Sequence, residues 1–561
     1  MKKIIALGLA AILVVGLVGC SISDWSSSSG VNVANIEKLS EKDANETLAV
    51  NLAKITLLHN DPPVDLDTRS YVEEMPEIDV AFPLSVKGNS QLNIEIWAST
   101  ERSGTGNDGW INRVTEKFNQ QGYKLPDGRT VSVSIRSIDA GAQLDYLTLT
   151  SIKPDAWSPA NALWNEMALS RGVQSELALD RTVGNTAGIL MKKTAYDEYM
   201  KSHDSLKLEE LVAAASNGDL VLGFTNPYTS DTALNMLTQI LIAIDPADPL
   251  SANAAEKFME FQKFAPPPAY TTAQMRESAK KGFIDVMVME CQAYINEPTL
   301  SDYVFTPFGV RHDNPVYKFT NMEDNRSAVL DMWIDYITNT ESQQTGTQMG
   351  FNRHDDYKGM PSLNGQQLYS AQSLWKQNKS GGKPTIAVFV ADVSGSMSGA
   401  RIANLQTSLL NSIQYIGEEN HVGFVSYSDK VTEELPIGKF EGTQRAMFQG
   451  AIKSLKVGGN THMYSAVLVA LDMIRRYQPS VGDANYMIFV LTDGETNGGI
   501  GEDVAAKLIV SYGIPVHTIG YGKDIGAEPL KRLASFAEGF CIMVDTADVV
   551  YNMKNMFNSQ M

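Results

Sequence analysis

Asp392, Ser394 and Ser396 stand at alternate positions directly after the apolar run Ile386–Ala391. A carboxylate and two hydroxyls offer only hard oxygen donors, the kind a divalent cation such as Mg2+ prefers. Gly395 and Gly399 let the chain turn tightly there before a helical pattern begins near Arg401. Oxygen donors of this sort, gathered where a buried strand ends, are expected to bind a hard cation rather than a soft one.

The elements that must position them follow from hydropathy. Six apolar residues in a row are too few to span a bilayer but suit a strand buried on both faces. Helix Ile402–Ile416 and strand His421–Tyr427 come next, then a charged hairpin-like section ending near Ile437. The glycine-bearing loop Gly458–Tyr464 leads into helix Ala466–Tyr477, and strand Met487–Thr492 again runs into an aspartate, Asp493. Strand Pro515–Gly520, helix Leu530–Ala537, strand Phe540–Val544 and a last helix from Asp548 complete the alternation. That order predicts a doubly wound, mostly parallel α/β sheet of about six strands with helices on both faces.

Residues 383–557 resemble the von Willebrand factor A domain. The resemblance rests on Asp392-x-Ser394-x-Ser396, Thr461 in the glycine loop and Asp493 in Thr-Asp-Gly, which match the family's metal-ion-dependent adhesion site at all five positions. It implies that Asp392, Ser394, Ser396, Thr461 and Asp493 hold Mg2+ (or Mn2+), the carboxylates largely through water. Two carboxylates roughly neutralise a dication, so a further anionic oxygen is not repelled. The resemblance therefore implies a protein partner that offers an Asp or Glu to the metal. Glu495, two residues on, is expected to face solvent.

At 561 residues the chain exceeds one hydrophobic core, so several domains are expected. A net charge of −19 argues against a nucleic-acid partner, whose phosphates would repel it. Three cysteines cannot build a disulfide framework. Lys2 and Lys3 precede the apolar run Ile4–Val18, which reads as a signal peptide over residues 1–20. Leu17-Val-Gly-Cys20 resembles the lipobox of bacterial lipoproteins. That implies lipidation of Cys20, a membrane attachment through lipid, and a location outside the cytoplasm at the cell surface or in the periplasm. Cys291 and Cys541 are then ordinary core residues.

Residues 21–88 read as a serine-rich tether followed by an extension with a helical stretch, Asn35–Leu58, expected to pack on the domain that follows. From residue 89 strands and helices alternate as far as 376: strand Leu92–Trp97, helix Gly109–Phe118, strand Val131–Ile135, strand Leu220–Gly223, and a helix from Thr229 capped by Ser230 or Asp231. Trp97-Ala-Ser-Thr-Glu101, Trp157-Ser-Pro-Ala160 and Gly223-Phe-Thr-Asn-Pro227 resemble bacterial extracellular solute-binding proteins of the sulfate, molybdate and phosphate kind. The resemblance implies a two-lobed type II fold with hinge crossings near Leu190 and Phe305. It also implies a small ligand in the cleft at Ser99, Thr100, Ser158, Thr225 and Asn226. Glu101 and Asp231 lie beside these turns and would repel an oxyanion. Residues 377–384 form a polar linker, and 385–561 the second domain.

Catalytic patterns are sparse. His312-Asp313 and His354-Asp355 read as solvated loop residues, as does His462. HExxH, GxSxG, Walker and CxxC patterns are missing from the sequence. The expectation is a binding protein and not an enzyme. The competing reading is the substrate receptor of a transport system, with the C-terminal domain only a docking module.

Overall fold

The computed structural model describes residues 36–66, 75–265, 275–276, 279, 282, 284–494, 496–522, 527–544 and 549–561. Cys20 with its leader, and Glu495, lie outside the described residues. The fold is mixed α/β and divides into two compact units, one of residues 77–382 and one joining the described residues before 76 to residues 383–561.

The chain opens with helix Glu41–Leu52, whose N-cap Ser40 accepts a hydrogen bond from the Asp43 amide at 3.2 Å. Strand β1 (Leu57–His59) follows, and its partner lies near the other end of the sequence.

In the 77–382 unit a six-stranded sheet forms from β2 (Leu84–Val86), β3 (Leu92–Ala98), β4 (Val131–Ser137), β5 (Ala156–Ser158), β6 (Ser175–Leu179) and β11 (Val316–Phe319). Its order is β2-β4-β3-β5-β11-β6, with β3 parallel to both neighbours. A second, four-stranded sheet has the order β10-β7-β9-β8, from β7 (Thr186–Lys192), β8 (Leu222–Gly223), β9 (Val286–Glu290) and β10 (Tyr303–Arg311). Each sheet has its own apolar core: Ile94, Ile96, Trp110, Val133 and Trp333 in the first, Leu190, Met287, Met289 and Tyr303 in the second. The unit is two-lobed, as expected.

Leu190 and Phe305, the expected hinge positions, pair with each other inside the second sheet. The crossings fall a few residues away, at 180–185 and 312–315, where the chain leaves and re-enters the first sheet. They bind one another: the Thr182 amide donates to the Asp313 carbonyl at 3.1 Å and the His312 amide to the Asn185 carbonyl at 3.1 Å. Asn314, at a φ of 54°, completes the contact by donating from its amide to the Val183 carbonyl. Asparagine tolerates that left-handed backbone, and no apolar pattern announces it.

The other unit is built on a seven-stranded sheet, β1-β14-β13-β12-β15-β16-β17. Its further strands are β12 (Thr385–Asp392), β13 (His421–Tyr427), β14 (Val431–Lys439), β15 (Asn485–Thr492), β16 (Val516–Tyr521) and β17 (Cys541–Val544). All pairings are parallel except β13 with β14. Every residue of β12 is buried because both faces are covered. Ile386, Val388 and Val390 meet helices Met463–Val481 and Glu502–Tyr512 on one face. Phe389 stacks on Phe489 and touches Phe448 and Phe557 on the other.

Residues 36–66 belong to this unit and not, as the sequence suggested, to the domain that follows them in the chain. Ala44 and Leu48 are buried in its core, and Tyr512 donates to Asn45 at 2.8 Å. Strand β1 runs parallel along β14, Leu57 opposite Val431 and His59 opposite Glu433. The extension thus covers a sheet edge whose free backbone groups would otherwise stay unpaired.

Candidate functional site

In the C-terminal unit β12 lies at the centre of the sheet, with β13 on one side and β15 on the other. The strand order reverses there, and a crevice opens beyond the carboxyl ends of β12 and β15. Asp392 ends β12 and Asp493 follows β15, so the topology alone brings two carboxylates together.

Asp392 is fully buried. Its Oδ2 accepts from Thr492 Oγ1 at 2.6 Å and Tyr427 Oη at 3.3 Å, and its Oδ1 from the Ser394 amide at 2.8 Å. Burial raises its pKa from the usual carboxylate value, against the Ser394 and Thr492 hydrogen bonds that lower it. Burial also pushes the Tyr427 hydroxyl well above its ordinary range, so it stays a neutral donor. From there a chain of oxygens runs outward: Ser394 Oγ to Ser396 Oγ at 3.0 Å, then Ser396 Oγ to Asp493 Oδ1 at 3.0 Å. Ser396 is exposed, whereas Ser394, Thr461 and Asp493 are buried.

The glycine loop is held against this chain by its backbone. Gly395 donates to the Gly459 carbonyl at 3.1 Å and Gly458 to the Val393 carbonyl at 2.8 Å. Gly459 has a φ of +85°, and a Cβ there would sit 2.1 Å from Asp429 Oδ1, so only glycine fits. Thr461 is clamped on both sides, its amide to Asn497 Oδ1 and its carbonyl to the Asn497 amide and Thr496 Oγ1. Four of the five residues anticipated from the sequence, Asp392, Ser394, Ser396 and Asp493, thus form one group, and the loop that carries Thr461 is bonded to its backbone. Its donors are oxygens, and among the described residues no group of three or more His, Cys, Asp or Glu side chains converges as an all-anionic cage would. This set fits a hard cation that keeps part of its water shell.

One neighbour was missed. Arg401, on the first turn of helix Ala400–Ser412, donates to Asp493 Oδ2 at 2.7 Å and to the Ser396 carbonyl at 3.1 Å. A basic residue five positions after a serine gives no sequence signal of its own.

The 77–382 unit holds a second polar assembly. Ser99 is fully buried and precedes a single helical turn, Thr100–Ser103, while Thr100 is half-buried. Ser158 is near Ser99 through the backbone, but its hydroxyl is spent on the Pro315 carbonyl at 2.5 Å, so it holds a crossing in place instead of facing a ligand. Asn226 shapes the turn before helix Asp231–Ile244, accepting from the Tyr228 amide at 2.9 Å; Thr225 is buried beside it. Ser230 is the N-cap of that helix.

The groups that dominate this region are acidic, and one of them, Glu290, was not anticipated. Glu290 ends β9, and both its oxygens accept: from His312 Nδ1 at 2.5 Å and from Asn185 Nδ2 at 2.6 Å. His312 is fully buried, contrary to the solvated loop expected, and its Nε2 faces the amide nitrogens of Asn161 and Asn235, each at 3.1 Å. Those amides are oriented by their oxygens, which accept from the Leu163 and Val310 amides. Nε2 is therefore placed to accept from these amides while Nδ1 faces Glu290. A glutamate closing the buried run Val286–Met289 was the available clue, the same clue that marks Asp392.

Residues 387–557 match the von Willebrand factor type A domain. Inter-alpha-trypsin inhibitor heavy chain H3 of Homo sapiens is 25% identical over 169 residues, 28% of this chain and 18% of that protein. The chain thus spans less than a fifth of that relative's length. Among solved structures, the von Willebrand factor type A protein from Catenulispora acidiphila aligns over 32% of this chain and 43% of its own at 19% identity and a TM-score of 0.29. A periplasmic thiamin binding protein aligns over 53% of this chain and 99% of its own at 11% identity and a TM-score of 0.38.

Proposed function

We propose that this chain is an extracytoplasmic binding protein, tethered through lipid on Cys20, that docks an acidic residue of a protein partner through a divalent metal. Asp392, Ser394, Ser396, Thr461 and Asp493 hold Mg2+ or Mn2+. The metal supplies a Lewis-acidic position to which a carboxylate from outside binds. The observation that carries this reading is the oxygen chain Ser394–Ser396–Asp493 at the sheet's switch point, outside β12 and β15.

The protein's own residues divide the work. Thr492 and Tyr427 fix the Asp392 carboxylate from behind, which leaves its orientation independent of the partner. The neutral hydroxyls of Ser394, Ser396 and Thr461 bring oxygen without charge. A site with only two carboxylates keeps its attraction for an external anion, and no residue here is asked to perform a reaction. The two-lobed unit takes a small ligand between its sheets. A pull-down from cell-surface extract in Mg2+ tests the docking: the full chain should retain a partner that EDTA and Ser396→Ala both release. Retention in EDTA would reject it.

A further inference from the structure

The acidic assembly between the two sheets bears on which ligand the N-terminal unit takes, and the argument rests on that unit being a ligand-binding module. Glu101 comes from the first lobe, Asp231 from the start of a helix packed on β9 and β10, and Glu290 from the end of β9. Glu101 feels the charge of Glu290, and Asp231 feels those of Glu101 and Glu290. Burial and this repulsion push Glu101 up to about 7 and Asp231 well above its usual range. One protein cation offsets part of it: the buried Arg102, which donates to Thr182 Oγ1 and the Ser158 carbonyl, feels Glu101, Asp231 and Glu290, so three carboxylates share a single guanidinium.

A second observation is independent of charge. Asp231 is 1% exposed, yet its Oδ1 has no hydrogen-bond partner, and the same holds for Glu101 Oε2 and for the fully buried Ser99 Oγ and Trp164 Nε1. Ser99 lies near Glu101 and Trp164 near Asp231, close enough to favour their charged forms without closing a bond of normal geometry. Buried polar atoms in a folded protein are almost always paired, so unpaired atoms gathered beside these two acids call for a partner from outside the chain.

We infer that the cleft binds a small organic cation bearing N–H donors, its positive charge facing Glu101, Asp231 and Glu290. A metal ion fits poorly: an indole N–H cannot coordinate one, and no three-ligand His, Cys, Asp or Glu group is found among the described residues. An oxyanion is opposed by all three carboxylates. Acceptors on two acids and donors from Trp164 and the hydroxyls call for a ligand with both a protonated nitrogen and a polar acceptor.

The test is a thermal-unfolding series on the full chain with agmatine, putrescine and ethanolamine, against sulfate, molybdate, glucose and Mg2+ as contrasting probes. At about ten-fold saturation a cationic probe should raise one transition by ~2–4 °C. Asp231→Asn and Glu290→Gln should each reduce that shift to less than about 1 °C while the unliganded transition remains cooperative. Ser99→Ala, which keeps every charge, should weaken the shift and leaves the test standing if an acid variant fails to fold. A shift with sulfate, molybdate or glucose but none with the amines overturns the cation assignment and leaves the cleft a ligand site. No shift with any probe overturns both.

Discussion

The guanidinium of Arg401 lies 2.7 Å from Asp493 Oδ2, so a cation of the protein's own faces one of the carboxylates assigned to the metal. Arg401 is 41% exposed and reaches Asp493 from a helix that begins beside the serines. Asp493 is buried at the other end, and an ion pair reached by so exposed an arginine contributes roughly 0–1 kcal/mol. Arg401→Gln should therefore raise the apparent affinity for Mg2+ by about two- to five-fold, read by isothermal titration. A weaker affinity would show that Arg401 orients Asp493 and does not compete for it.

The extension before residue 66 should stabilise the C-terminal unit. Leu48 is 1% exposed in that unit's core, and Leu→Ala in such a place costs about 2–5 kcal/mol. Leu48→Ala should lower the transition of the metal-binding unit, the one that Mg2+ raises, and leave the other in place. If Leu48→Ala lowers only the other transition, the docking of helix Glu41–Leu52 in this unit's core does not describe the protein.

Gly141 should be intolerant of any side chain. A Cβ there would stand 2.1 Å from the Tyr228 carbonyl oxygen, in the turn that leads to Asp231. Gly141→Ala forces these segments apart at a cost of about 1–3 kcal/mol. It should both lower the N-terminal unit's unfolding temperature and reduce its ligand response. An unchanged transition would contradict the close approach.

The buried acids give the N-terminal unit a pH dependence of definite sign. Glu101, facing Glu290, His312 and Asp231 with Arg102 beside it, is raised from 4.5 to about 7, and Asp231 moves the same way. Asp139 is raised to about 6 by its burial. The folded state then binds more protons than the unfolded chain between about pH 4.5 and 7, so these groups make stability fall as pH rises through that window. The unliganded unit should unfold at a higher temperature at pH 5 than at pH 8, and Glu101→Gln should flatten the difference. A transition that rises with pH over that window would contradict the account.

Much of the C-terminal fold was legible because its signals are local and strong. Continuous apolar runs as short as Ile386–Ala391 suit strands covered on both faces, and an aspartate ending such a run points to the sheet's carboxyl edge. Strand β1 carried no such signal. Leu57, Leu58 and His59 are all exposed, and their pairing with Val431–Glu433 uses backbone groups that any sequence has. One cleft residue is otherwise engaged for a related reason. Ser158 has the right type and position, but a carbonyl 157 residues away takes its hydroxyl. Glu290 and His312 meet because β9 and β10 pair with β7 on its two sides, which spacing along the chain does not show.

Asp392, Ser394, Ser396, Thr461 and Asp493 are proposed to hold one divalent metal ion. Titrating Mg2+ into the metal-free full chain should show one site per chain, lost in Asp493→Asn and Thr461→Ala while circular dichroism stays unchanged. Binding of equal strength in both variants, or no binding in the parent chain, would contradict it.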